Sequence, residues 1–181
     1  IGMSAVAEYI HSIGKNVSGY DRDNSLLTIW LIKLGIDISH KVDTEIIDFD
    51  LVNNSNTLVV YTPAISNKNC ILNYFKKNNY KVVKRSDLLA EIVNSKFCIA
   101  IAGTHGKTTT TSILAHIMYS AGLNFTSFVG GVLKDYETNI LLNGDEIFVV
   151  EADEYDKTFL KLHPNVASIM NIDGDHYDIY S

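Results

Sequence analysis

Phe97-Cys98-Ile99-Ala100-Ile101-Ala102 runs straight into Gly103-Thr104-His105-Gly106-Lys107-Thr108-Thr109, and this junction decides the fold. Six apolar residues in a row predict a strand covered on both faces, as in the middle of a parallel sheet. Two glycines then permit a tight turn, and the spacing beyond Lys107 predicts a helix over 107–120, stopped at Gly122. A strand, a glycine turn and a helix opening on Gly-Lys-Thr are the setting of a phosphate loop. Amide N–H groups at such a helix start face phosphate oxygens. Lys107 would lie along the β- and γ-phosphates and the Thr108 hydroxyl would hold Mg²⁺. Gly103, Thr104, His105, Gly106, Lys107, Thr108 and Thr109 are therefore the candidate ATP-binding residues. The loop departs from the general G-x-x-x-x-G-K-[ST] spacing: Ile101 stands where the first glycine would fall.

Working outward towards the C-terminus, strands are predicted over 125–129, 147–151 and 166–171. The second of these ends in Glu151-Ala152-Asp153-Glu154-Tyr155-Asp156. Acidic residues at the end of a parallel strand lie at the rim where open α/β sheets bind ligands. One carboxylate there would complete a magnesium site begun by Thr108; a solvated acidic loop is the plainer reading. After the third strand comes Asn171-Ile172-Asp173-Gly174-Asp175-His176-Tyr177-Asp178. Its glycine is misplaced for a calcium loop and no glutamate closes twelve residues. His176 could hold a metal or an adenine, or simply sit in a capped turn. His11, His40, His116 and His163 are assigned ordinary surface or helix roles.

Working outward towards the N-terminus, the pattern alternates. Helices are predicted over 3–13, 26–34 (capped by Ser25), 67–78 and 87–93, and strands over 15–19, 57–61 and 80–83. Alternation implies a parallel sheet with crossover helices. The pattern restarts near residue 95, which predicts two α/β units, 1–95 and 96–181. Gly2, just ahead of a helix, looks like the last glycine of a strand-to-helix turn that begins before Ile1. Asp21, nineteen residues on, falls where a dinucleotide-type fold places a ribose-binding acid. A helix entry and a surface acid would explain the same two residues.

The bulk composition narrows the partners. The 181 residues are 46% hydrophobic and 20% charged, with a formal charge of −6, so no broad positive field attracts nucleic acid. Any anionic ligand would need local devices such as helix N-termini and single lysines. Cys70 and Cys98 form no disulfide framework and suit a reducing, cytoplasmic compartment. No apolar run reaches the ~18–20 residues needed to cross a membrane, and no signal peptide opens the chain; the oligomeric state is not legible.

Taken together, GMSAVAEYI, VSGYD, TPAIS, KRSDLLAEI, IAGTHGKTTTTS, FVGGVL, VVEADEYDKTFLKLHP and NIDGDHYDIY resemble the Mur ligase family. The resemblance spans the whole chain, and the short phosphate loop is the form this family uses. It implies a Rossmann-like parallel-sheet N-terminal domain followed by the front part of a P-loop ATPase α/β domain. It also implies ATP-driven amide formation in peptidoglycan precursor synthesis, with ATP and Mg²⁺ as cofactors and UDP-N-acetylmuramate and L-alanine as substrates. The branch that attaches a preformed tripeptide to the same sugar nucleotide shares THGKTTTT and EADEYD; NIDGDHYDIY favours the L-alanine branch. From another class, the chain could be a nucleotide-binding fragment without catalysis. By this resemblance Lys107, Glu151 and His176 serve catalysis, with Thr108 and Glu151 on a first Mg²⁺ and His176 on a second. His105, Gly130 and Gly131 would face the muramate, and Gly2, Met3, Ser4, Asp21, Thr62, Pro63 and Ala64 would line the UDP.

Overall fold

The computed structural model describes residues 2–44, 53, 55–153 and 158–173. His176, with Asp175 and Asp178, lies outside the described residues, as do Glu154, Tyr155 and Asp156. In chain order the elements are α1 (Gly2–Ser12), β1 (Ser18–Tyr20), α2 (Leu26–Lys33), β2 (Asp37–Ser39), β3 (Leu58–Tyr61), α3 (Cys70–Lys77) and β4 (Lys81–Lys84). Then come α4 (Arg85–Val93), β5 (Phe97–Ala102), α5 (Lys107–Ser120), β6 (Phe125–Leu133), β7 (Thr138–Asn143), β8 (Ile147–Glu151) and β9 (Val166–Ile169).

Five strands form one sheet in the order β7-β6-β8-β5-β9. The wholly apolar β5 lies inside it, parallel to β8 on one side and β9 on the other, as its sequence predicts. Side chains alternate between the two faces of a strand, so neighbouring residues serve different cores. Phe148 and Val150 pack with Cys98, Ala100, Phe128 and Ile140 on one face. Val149 packs with Phe125, Val129 and Leu141 on the other, beneath Ala115 and Met118 of α5.

The first face is covered from earlier in the chain. Ala5 and Val6 of α1, and Leu88, Leu89 and Val93 of α4, share its core. The Tyr9 ring meets Phe128 and Phe148 edge-on, at centroid distances of 5.6 and 5.8 Å. Helices α1 and α4, both before residue 95, thus roof the sheet formed after it.

Some of these expectations are corrected by the structure. The sheet is not wholly parallel: β7, absent from the predicted strands, runs antiparallel to β6 at the sheet edge. The missed hairpin follows from β6 continuing four residues past its predicted end, through Gly130 and Gly131, with an irregular register between Phe128 and Leu133. The earlier strands pair only as two parallel couples among the described residues, β1 with β2 and β3 with β4. Helix α2 carries the predicted Ser25 cap, a capping box with Thr28. Helix α3 starts three residues later than predicted, because Asn69 accepts the Leu72 N–H and caps it there. No helix among the described residues is long and apolar enough to cross a membrane.

Candidate phosphate and metal site

Parallel pairing aligns the carboxyl ends of β8, β5 and β9 with the point where β6 stops pairing with β8: Phe128 lies opposite Val150, Ile101 opposite Glu151, and Ala102 opposite Ile169. Side chains just past those ends therefore meet on one rim. The loop after β5 reaches α5 through Gly106, whose φ of 84° is left-handed, a conformation glycine adopts without a Cβ penalty. That turn sends the backbone into the helix, whose first ladder bond is Thr110 N–H to Gly106 O at 2.9 Å. The Lys107 ammonium folds back over the loop, donating to the Gly103 carbonyl and, at 3.1 Å, to that of Thr104.

Glu151, ending β8, meets this helix start. The Thr108 hydroxyl donates to Glu151 Oε2 at 3.0 Å, and the Gly130 N–H donates to Oε1 at 2.6 Å. A Cβ on Gly130 would stand 2.6 Å from Oε2, so a glycine is what admits the carboxylate. A Cβ on Gly131 would stand 3.0 Å from Thr108 Cγ2. Burial pushes the Glu151 carboxyl above its ordinary pKa; the bonds from Gly130 and Thr108 and the nearby Lys107 pull it back, and Asp153 opposes them. The pair fits magnesium. Bond lengths of about 2.0–2.1 Å at right angles put neighbouring octahedral ligands about 3 Å apart, which is the Thr108–Glu151 separation. Among the described residues no group of three His, Cys, Asp or Glu side chains forms a fuller metal cluster.

The structure therefore gathers Gly103, Thr104, His105, Gly106, Lys107, Thr108, Glu151, Gly130 and Gly131 on one rim. Thr109 lines a cleft of about 440 Å³ beside it, between α5 (Ser112, Ile113, His116) and residues 132–136. Within that cleft the His116 ring nitrogen Nδ1 lies 2.8 Å from the Tyr136 hydroxyl. His116 is an exposed residue of α5, in keeping with the ordinary helix role its sequence suggested.

The residues expected around UDP are spread more widely. Gly2, Met3 and Ser4 open α1, and Ser4 donates to Asn139 Oδ1 at 3.3 Å. A Cβ on Gly2 would clash with the guanidinium of Arg85, which pairs with Asp153 at 3.2 Å. Asp21 follows β1 and accepts the Asp23 N–H in an exposed turn. Thr62, Pro63 and Ala64 follow β3, where the Ile65 N–H donates to Thr62 O. Both turns stand at the carboxyl ends of parallel strands, as ligand loops do in open α/β sheets. Arg85 and Asp153, a pair from the two halves of the chain, had no sequence signal beyond the KRSD and EAD segments.

The sequence matches two family descriptions: Mur ligase family, catalytic domain, over residues 1–97, and Mur ligase middle domain over residues 101–181. UDP-N-acetylmuramate–L-alanine ligase of Christiangramia forsetii is 47% identical over 181 residues, covering 99% of this chain and 40% of that protein. Its counterpart in Flavobacterium psychrophilum is 48% identical over 180 residues, with the same coverage. Among solved structures, the UDP-N-acetylmuramate–alanine ligase of Thermotoga maritima superposes with a TM-score of 0.87 at 31% identity, over 99% of this chain and 41% of that one. The Neisseria meningitidis UDP-N-acetylmuramate:L-alanyl-γ-D-glutamyl-meso-diaminopimelate ligase gives 0.83 at 27%, over 99% and 60%. The chain thus spans about 40% of the length of the curated relatives it matches. On the two matches, which together take in nearly every residue, the chain belongs to the Mur ligase family.

Proposed function

We propose that these residues form the sugar-nucleotide-binding part and the front of the ATP-binding part of a ligase joining L-alanine to UDP-N-acetylmuramate. Residues 1–95 are assigned to the sugar nucleotide and 96–181 to ATP, in a cytoplasmic step of peptidoglycan precursor synthesis. The observation that carries this is the meeting of Thr108 and Gly130 on Glu151, beside a Lys107 folded over the loop, on one sheet rim. The relatives, at 47–48% identity, supply the substrates.

In the proposed reaction a muramate carboxylate oxygen attacks the γ-phosphorus and ADP leaves, giving an acyl phosphate. The L-alanine amine then attacks the acyl carbon, loses a proton, and inorganic phosphate departs with the bonding pair. Both steps crowd anions together, so fixed positive groups aimed at the phosphates lower the barrier. Lys107 and the amide N–H groups opening α5 are this chain's own such groups. Thr108 and Glu151 would hold Mg²⁺, which supplies Lewis-acid charge neutralisation. By likeness to the family, His176 is assigned to a second cation, and Gly2, Met3, Ser4, Asp21, Thr62, Pro63 and Ala64 to UDP.

The test is ATP-dependent phosphate release by the full-length protein with UDP-N-acetylmuramate and either L-alanine or the L-alanyl-γ-D-glutamyl-meso-diaminopimelate tripeptide. Release with L-alanine is expected; release with the tripeptide alone would move the protein to the other branch. Lys107→Ala should weaken ATP binding by about 1.5–3 kcal/mol, read by calorimetry. An unchanged affinity in a folded variant would remove Lys107 from the site.

A further inference from the structure

We infer that Asn171 is a positioning residue for the phosphate loop, deciding which loop amides are left to face an anion; this rests on the ATP reading above. Asn171 lies just past β9, where the Met170 N–H makes the last ladder bond to Ala102 O at 2.9 Å. There the chain turns onto the loop. Asn171 Oδ1 accepts the His105 N–H at 2.9 Å, while Nδ2 donates to the His105 carbonyl at 3.2 Å. The Asn171 carbonyl accepts the Thr104 N–H at 3.3 Å. Two residues on, the Asp173 carbonyl accepts from Thr104 Oγ1 and the Asp173 N–H donates to it, both at 3.0 Å. Space is tight as well: a Cβ on Gly103 would come within 3.0 Å of the Asn171 nitrogen.

The pattern divides the loop in two. The N–H groups of Thr104 and His105 are spent on Asn171. Those of Gly106, Thr108 and Thr109 precede the first ladder bond, from Thr110 to Gly106, so the helix gives them no acceptor. An anion bound here reads the second set, and the first set is a fixed rim. The job needs an amide. One side chain must accept from the N–H and donate to the C=O of the same residue, which a carboxylate cannot do. In Asn171→Asp the second oxygen would face the His105 carbonyl and add negative charge beside the phosphates. A residue that merely fills space would rank the isosteric Asp near wild type and Ala lowest. A positioning amide ranks both low and Asp lowest.

Calorimetric titration of the full-length protein with Mg-ATP, and separately with uridine diphosphate as an internal control, distinguishes the two. Asn171→Ala should weaken Mg-ATP binding roughly tenfold and Asn171→Asp by more, with uridine diphosphate affinity unchanged in both. Wild-type Mg-ATP affinity in Asn171→Asp, or equal loss of both ligands, would overturn the inference. A second measurement needs no variant. In nucleotide-free wild type the His105 amide should exchange its hydrogen at least roughly tenfold more slowly than the Gly106 amide, and equal rates would also overturn it. If wild type fails to bind Mg-ATP, the ATP reading falls, while the exchange rates still decide whether Asn171 holds the loop.

Discussion

The turn after β5 and the turn after β1 both lead from a parallel strand to a helix, yet they rest on different foundations. β5 has Cys98, Ala100 and Ile101 buried, and its neighbour β8 has Phe148, Val149 and Val150 buried. β1 is three residues long with none buried, paired to a β2 of the same length. Around the first turn, the candidate site residues arrive from four adjacent strands and hydrogen-bond across them. Around the second, Asp21 bonds Asp23, Ser39 and His40, its own neighbourhood. A buried sheet makes its rim a fixed geometry, so a site there can be pre-formed. A short exposed strand leaves its turn to be ordered by whatever binds.

The sharpest way to break this comparison is through stability. Phe148 is 1% exposed between β5 and β6 and touches Tyr9, so Phe148→Ala removes a buried ring and leaves a cavity. A loss of about 3–5 kcal/mol is expected in denaturant unfolding. Leu58 of β3 is 40% exposed, and Leu58→Ala should cost about 1 kcal/mol or less. Equal losses would mean that the β3–β4 couple is as firmly founded as the large sheet.

The next effect is chemical. Gly130→Ala places a methyl where Glu151 Oε2 now stands, so the carboxylate must leave Thr108. Phosphate release by the full-length protein should fall on the order of 100-fold, with the unfolding temperature nearly unchanged because Gly130 is exposed. The same substitution at Gly19, where a Cβ would have open contact at 3.7 Å from Ile38, should leave turnover within about twofold. Full turnover in Gly130→Ala would remove Glu151 from the proposed magnesium site.

The two regions were also unequally legible. The run 97–102 and the Gly-Lys-Thr after it give strand, loop and helix together, because total apolarity and glycine spacing are local signals. The acidic end of β8 is local too, but it singles out no one carboxylate, and Glu151 came from the family resemblance. What Gly130 does is not local: its N–H finds Glu151 twenty-one residues later. Asn171 lies sixty-six residues from His105, and the strand pattern ran through it because nothing in NIDGD marks where ladder bonds give way to loop bonds. β7 was missed for a related reason. It is the edge strand among the described residues, its Thr138 and Asn139 are buried polar groups, and its register comes from β6. Periodicity cannot show that α1 leaves its own strands' neighbourhood to roof the later sheet, since an apolar stripe does not name its partner.

The smallest expected effect lies where the two regions join. Glu8 of α1 is 9% exposed. It accepts from Trp30 Nε1 of α2 at 3.0 Å and from the Thr138 hydroxyl of β7 at 3.4 Å, linking the early helices to the sheet edge. Burial raises its carboxyl above the ordinary value of 4.5, and the two hydrogen bonds oppose that only in part. The folded state therefore holds the Glu8 proton more tightly than the unfolded chain does. Its contribution to stability is fully present below pH 4.5 and declines as pH rises through the higher folded-state value, where the unfolded chain has already ionised. Glu8→Gln keeps the shape and an acceptor for Trp30 but cannot ionise. Thermal unfolding of wild type and variant across pH 4.5–8 should show the variant gaining relative to wild type as pH rises, by a small margin that levels off near neutrality. A difference independent of pH would mean that Glu8 titrates no differently folded than unfolded, and that the junction is held by shape alone.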